Sequence, residues 1–445
     1  MNETSLTIAR NSTTSTSPGN HPSLTDALIV WLRIGLMSFG GPAAQIALMH
    51  HEIVDRKGWL TEQQYLNALS FCMLLPGPEA MQLATYAGWR LHGTIGGLLA
   101  GLLFVLPGAL VVLCLALIYA YFGEVPIVSS LFVGIKAAVV IIVIEALHRV
   151  AKRALSQRQN WIMAGLAFIG LFFLSIPYPL LILAAAIYGF CFFANNHQLM
   201  EPAVHHQHPA VHHQNKVGKL LRTLILWTTL WWLPILLLSL TKQELLTELG
   251  IFFSKLAVVT FGGAYSVLAY MAQDVVTQYG WLTASQMMDG LGLAETTPGP
   301  LILVTEFVGF MAAFSQGGLG QALSGALISL WMTFVPCFMW IFAFAPYIDR
   351  ITQQPRLKGA LNAITAVVVG VILNLSLWFA MHVFFQHVNL QHVGSMQVWV
   401  PQLSSIQWQP CLLAVLCAVL IFRFKQGIAL TLIVSAGIGG ILSVL

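Results

Sequence analysis

Two cations and three acids lie where the sequence is otherwise apolar: Arg33, Lys255, Glu79, Glu295 and Glu306. A charge in a hydrophobic run is costly, so it is kept where it faces a partner, a cavity or an ion path. Arg33 and Lys255 could face an anion. Glu79, Glu295 and Glu306 would repel an anion when ionised, but each could couple a proton to its passage. Gln45, Gln82, Thr296 and Thr297 are neutral donors of the kind that hold oxyanion oxygens. Glu145 stands close to His148 and Arg149 and reads as half of an interfacial salt bridge. Arg90 reads as an anchor at a membrane end. No Ser-His-Asp set, phosphate loop or HExxH is visible, so the sequence does not read as an enzyme. No cofactor and no metal are expected. His50-His51-Glu52 with Asp55 has metal-ligand residue types, but the second half of the chain keeps only the acid, and the stretch reads as a polar loop.

These side chains are distributed around a stretch that occurs twice. Residues 39–78 and 261–300 agree at 15 of 40 positions at a constant shift of 222. The agreements concentrate in Phe39-Gly40-Gly41 with Phe261-Gly262-Gly263, in the GWLT runs from Gly58 and Gly280, and in Pro76-Gly77-Pro78 with Pro298-Gly299-Pro300. Glycine and proline interrupt helices. A proline after the glycine, as at Pro42 and Pro78, suits the first position of a new helix. Each break could therefore open a helix N-terminus inside the membrane, where free N–H groups favour an anion. Breaks at matched places in two halves point to a transporter's binding site. Arg33 and Lys255 stand six residues before their FGG at that same shift, which makes an accidental snorkelling cation less attractive.

The elements that carry these residues are membrane helices. The chain of 445 residues is 58% hydrophobic and 8% charged, far below the ~25% charged residues of a soluble protein. The net charge of +4 lies in short loops and carries no nucleic-acid signal. The six cysteines fall within apolar stretches without a CxxC and read as small core residues. Apolar runs at 24–49, 64–89, 95–122, 130–149, 161–176, 179–195, 220–240, 245–272, 286–314, 320–347, 360–386, 409–423 and 427–445 suggest about thirteen transmembrane helices. With the N-terminus cytoplasmic, the basic clusters at 149–158, 216–222, 350–358 and 423–425 fall inside, as the positive-inside rule asks. Asp55-Arg56-Lys57 then falls outside as a minor exception, together with the uncharged loop 388–408. The odd seventh run turns the second half over, so the fold class is an all-α polytopic membrane protein of two inverted repeats. The organisation expected is a flexible polar tail at 1–22, a first transport repeat at 23–195, a His-rich cytoplasmic linker at 196–219 and a second repeat at 220–445. The linker repeats PAVHHQH as PAVHHQN without a fixed ligand geometry.

Taken together, FGGPAAQIALMHHEIVDRKGWL, LLPGPEAMQLATYAGWRLHGTIGGLLAGLLFVLPG and ETTPGPLILVTEFVGF resemble the two halves of the long-chain chromate transporter family, over about residues 24–385. That resemblance implies a multi-pass protein of the bacterial inner membrane that exports chromate and confers resistance, with sulfate as the competing analogue. It also implicates the FGG and PGP residues in substrate binding; Ala264 replaces Pro42 in the second repeat, so that helix start is the less certain one. The lipid bilayer is the expected partner, nucleic acid is not, and a homodimer is compatible with the sequence. Export of a dianion from a negative interior gains about 4.6 kcal/mol per 100 mV, twice the value for one charge. An incoming proton would add to this. The alternative is a proton-coupled importer of sulfate or another oxyanion. An intramembrane enzyme would need a clustered catalytic set, and a scaffold would have no use for the costly intramembrane charges.

Overall fold

The structure is a computed structural model that describes residues 22–192 and 216–442, apart from 262 and 395. The expected polar tail lies outside the described residues save for Pro22, as does the His-rich linker save for its last residues, and so does Gly262. Nearly everything described is helix. The first half comprises α1 (Leu24–Met37), α2 (Gly41–His50), α3 (Glu62–Cys72), α4 (Glu79–Phe122), α5 (Pro126–Ala154), α6 (Arg158–Phe172) and α7 (Tyr178–Phe192). Helix α8 (Lys216–Leu240) leads to the second half: α9 (Glu244–Val259), α10 (Ala264–Gln273), α11 (Ala284–Thr296), α12 (Val304–Phe344), the short α13 (Ile348–Thr352), α14 (Pro355–Phe384), α15 (Trp408–Ala418) and α16 (Ile428–Leu442).

The halves match in detail. A π-helical turn follows both α2 and α10. Thr61 with Gln64 and Thr283 with Gln286 form reciprocal capping boxes at the starts of α3 and α11. Both long helices fold back on themselves, at His92-Gly93 in α4 and at Gly317-Gly318 in α12, with Gly93 and Gly318 at φ +63° and +67°. The arms on either side then touch backbone to backbone. A Cβ on Gly88 would stand 2.4 Å from the Gly96 carbonyl oxygen, and one on Gly309 would stand 2.5 Å from that of Gly325. Small residues allow this approach, as they do between membrane helices generally.

Three contacts show where the chain turns. Trp59, beyond α2, packs on Trp31 of α1 with ring centroids 6.4 Å apart. That requires α2 to return along the direction from which α1 came. His92, at the tip of α4, bonds to the Pro22 carbonyl at 2.8 Å, beside the start of α1. So α1–α2 and α3 with the first arm of α4 are both re-entrant hairpins entering from one face, here the near face. The second half repeats this, with Trp281 packed on Phe252 at 5.4 Å. Its hairpins enter from the opposite, far face. The second arms of α4 and α12 run antiparallel, for Gly97 and Gly101 abut Phe342 and Phe338, while Tyr121 packs on Phe314 near the other tip. The repeats are inverted.

The thirteen apolar runs are therefore not thirteen full crossings. Five described helices are long and apolar enough to span a bilayer. They contain the runs 95–122, 130–149, 220–240, 320–347 and 360–386. The runs at 24–49, 64–89, 245–272 and 286–314 are the re-entrant hairpins. The remaining runs are two pairs of shorter helices, α6–α7 and α15–α16. Each pair returns to the face it leaves, Gly189 meeting Gly359 at the near-face start of α14 and Gly439 meeting Ser130 at the far-face start of α5. Each pair turns through a residue in the left-handed region, Ser175 or Lys425. Asp55-Arg56-Lys57 consequently lies on the near face with the other basic clusters, not on the far face. Apolar length alone cannot distinguish a crossing from a reversal. On the far face, an antiparallel hairpin of β1 (Val388–Val393) and β2 (Met396–Pro401) follows α14, and its Gln397 N–H donates to the Phe173 carbonyl at 2.8 Å.

Candidate substrate site

The four glycine breaks meet where the hairpins from the two faces touch. The Gly77 N–H donates to the Thr260 carbonyl at 2.9 Å, and the Gly299 N–H donates to the Ser38 carbonyl at 2.8 Å. Ser38 and Thr260 are one repeat length apart, and so are Gly77 and Gly299, so the exchange is reciprocal. The Ser38 and Thr260 hydroxyls each donate to the carbonyl four residues back, both at 2.6 Å. Gly77 and Gly299 hold φ values of +118° and +93°, which only glycine adopts without strain.

Beside this crossing lies a small, partly open cavity lined by Pro42, Gln45, Pro78, Glu79, Ala80, Thr260, Ala264 and Pro300 to Ile302. Apart from Thr260, which ends α9, and Gln45, one turn into α2, the lining residues open the helical segments that restart after the breaks. Gly40, Pro78, Gly263 and Pro300 precede those segments, and none supplies a side-chain cap. At the surface the sequence caps with care, through Ser23, Thr61 and Thr283. The central starts keep N–H groups that lack an intrahelical partner. A cavity ringed by such donors is suited to an anion.

Of the side chains expected to bind, Gln45 lines the cavity with Pro78 and Pro300. Gln45 is buried and its Nε2 donates to the Gly299 carbonyl at 2.6 Å and the Ser38 carbonyl at 3.3 Å, while its Oε1 has no partner. Gly40, Gly41, Phe261 and Gly263 frame the two FGG breaks, and Pro76, Gly77, Pro298 and Gly299 build the crossing itself. Phe39 is 47% exposed and does not line the cavity. Gln82 donates to the Pro76 carbonyl of its own loop at 2.7 Å. The Thr296 and Thr297 hydroxyls donate to Leu293 and Ala294 of their own helix, which leaves them only as acceptors. Arg33 and Lys255 are exposed and do not line the cavity.

The three acids part company. Glu79 lines the cavity. Glu295 is buried and its Oε1 accepts from the Tyr265 hydroxyl at 2.7 Å. Glu306 is 1% exposed, and its Oε2 has no partner. Sequence reasoning did not place Thr260, Ala80, Ala264, Leu301 or Ile302 in the wall. A usable signal was present for Thr260, since a small hydroxyl residue precedes both FGG motifs. The sequence gives no counterpart for Leu301 to Leu303, which form a 3-10 turn between the second PGP and α12 where Glu79 opens α4 directly. Among the described residues no group of three or more His, Cys, Asp or Glu could hold a metal ion.

Comparison with known proteins gives this architecture its relatives. The family model described as chromate transporter matches residues 25–190 and 247–441, one segment for each repeat. A protein of Cupriavidus metallidurans named chromate transport protein is 28% identical over 356 residues, covering 79% of this chain and 81% of its own. One of the same name from Pseudomonas aeruginosa is 30% identical over 351 residues, 77% of each chain. A probable chromate transport protein of Synechococcus elongatus is 26% identical over 362 residues, 79% of this chain and 84% of its own. No solved structure matches. With both repeats matched in order and the breaks of both meeting at one cavity, the chain belongs to the chromate transporter family.

Proposed function

We propose that this chain exports the chromate dianion from the cytoplasm across a bacterial inner membrane, driven by the membrane potential, and so gives resistance to chromate. The observation that carries the reading is the convergence of four uncapped helical starts on one cavity between inverted repeats. Each α-helix N-terminus is worth about +0.5 of an elementary charge, so α2, α4 and α10 offer about +1.5, and the 3-10 turn after Pro300 adds backbone donors, which offsets much of a dianion's charge. Glu79 in the same wall would cancel part of that when ionised. A proton on Glu79 therefore favours the anion-bound state; one proton leaving with each dianion, rather than entering in exchange for it, still lets one net negative charge move out with the potential. Sulfate has the same charge and shape and competes for the same donors.

Orientation follows from the basic residues. The near face holds Arg56, Lys57, Arg90, Arg149, Lys152 and Arg153, with further Lys and Arg residues at the starts of α6, α8 and α14. The far-face segments hold Lys136, Lys242 and Lys255, while Arg423 and Lys425 stand at the turn between α15 and α16, the end of that pair away from the far face. The positive-inside rule makes the near face cytoplasmic. Expulsion of two negative charges then runs with the potential.

The test is chromate accumulation in inverted membrane vesicles, with and without an imposed proton gradient. Accumulation that requires energy and is competed by sulfate supports export. Loss of chromate from preloaded vesicles under the same conditions would turn the reading to an oxyanion importer.

A further inference from the structure

The two repeats match in sequence and fold, yet their hairpins are not equally covered. In the second half α10 and α11 pack on α5 and α14, and Ser266, Ala269, Asp289, Gly292 and Glu295 are buried. The residues one repeat length earlier, Ala44, Ala47, Asn67, Ser70 and Met73, are all exposed. An inverted-repeat transporter exchanges two such arrangements as it opens to one face and then the other. In this structure the far-face hairpins are docked on the scaffold and the near-face hairpins are released from it.

One contact is made only on the docked side. Asp289 of α11 is 3% exposed, its Oδ2 accepts from the Tyr119 hydroxyl of α4 at 2.9 Å, and its Oδ1 stands 3.7 Å from Lys136 Nζ of α5. Lys136 also donates to the Ser285 hydroxyl at 2.8 Å. Asp289 and Ser285 belong to the second repeat, and Tyr119 and Lys136 to the first. The matching positions elsewhere are neutral. Asn67 and Gln63 replace the α11 pair and bond only to each other, on the surface, at 2.9 Å. Phe344 lies as far beyond its tip glycine as Tyr119 does, and Thr365 is the eleventh residue of α14 as Lys136 is of α5. Asp289 is buried and Lys136 half-buried; such an ion pair is weak evidence of stability, and its best-attested use is to select one arrangement over another. Here it would select the docked far face.

We propose that Lys136, Asp289 and Tyr119 form a latch that holds the second pair of re-entrant hairpins on the first-repeat scaffold, closing the far face, and that transport requires this latch to open. The latch rests on the transport reading but not on the identity of the anion. Its test needs no substrate.

Single cysteines at Ala47→Cys and Ala269→Cys are labelled with a small water-soluble thiol reagent in the purified full chain. Peptide mass spectrometry scores them apart from the native cysteines, with buried Cys337 as an internal control of the fold. With the latch intact Ala47→Cys reacts and Ala269→Cys is protected. Asp289→Asn should raise the Ala269→Cys rate at least about tenfold, a bias of ~1.4 kcal/mol, while slowing Ala47→Cys. The exchanged pair Lys136→Asp with Asp289→Lys should restore the first pattern. Rates within twofold of the parent protein in Asp289→Asn, or failure of the exchange to restore them, would overturn the latch. If Asp289→Asn also exposes Cys337, Tyr119→Phe replaces it as the probe, since it removes one hydroxyl only. A rise at Ala269→Cys alone then supports the latch, and no rise overturns it.

Discussion

Replacing Glu79 by Gln removes one carboxylate from the cavity wall and keeps its volume. An anion in that cavity would sit about 5 Å from the carboxylate, so at an effective dielectric of ~20 a dianion and an ionised Glu79 repel by about 6–7 kcal/mol. The four helical starts would recover part of this, but no reasonable share makes a trianionic site comfortable. The native protein should therefore take up one proton with each dianion at any pH where unliganded Glu79 is ionised, and its Kd should rise about tenfold per pH unit there, by linkage. Glu79→Gln should bind without proton uptake and with a flat pH profile. Isothermal titration calorimetry in two buffers of different ionisation enthalpy counts the proton directly. Sulfate is the cleaner probe because it stays a dianion across this range. Native binding without proton uptake, or one proton still taken up by Glu79→Gln, would refute the reasoning.

Gln45→Ala should destabilise the fold by about 2–4 kcal/mol, because it deletes two buried hydrogen bonds and leaves the Gly299 carbonyl without that donor. Thermal unfolding in detergent, with the exposed Gln63→Ala as a control that moves little, checks this. On the near face, the hydrogen bond to Glu62, followed by the charges of Glu62 and Asp55, raises the His50 pKa above the ordinary imidazole value despite some desolvation. A raised folded pKa contributes stability that is complete below the ordinary value and lost as pH rises through the folded one. The melting temperature should fall across that window in the native protein and fall less in Glu62→Gln; equal slopes would refute it.

Much of this was legible in the sequence because Gly and Pro carry their structural meaning wherever they stand. FGG, GWLT and PGP at one shift marked both repeats, and Gly77 and Gly299 sit in backbone regions that only glycine tolerates. Inversion was legible too, since α8 supplies the odd crossing between the halves. The reversals were not. Hydropathy records how apolar a run is and says nothing of direction, so residues 24–49 read as a crossing although Gly40 and Gly41, at φ +85° and +79°, turn the chain back. The lining of the candidate cavity was legible at Gln45, Pro78, Glu79 and Pro300. It was not legible at Arg33 and Lys255, whose matched offsets reflect the repeat itself: both are exposed on α1 and α9 rather than turned to the cavity. The roles of Thr296 and Thr297 depend on which carbonyl each hydroxyl reaches, which only the fold decides.

The most direct measurement is a structure of the full chain with chromate, using the anomalous signal of chromium to place the anion. One peak is expected in the cavity among Pro42, Gln45, Glu79, Ala264 and Leu301, within hydrogen-bond reach of the N–H groups that open α2, α4 and α10. A peak at Arg33 or Lys255 with the central cavity empty would contradict it.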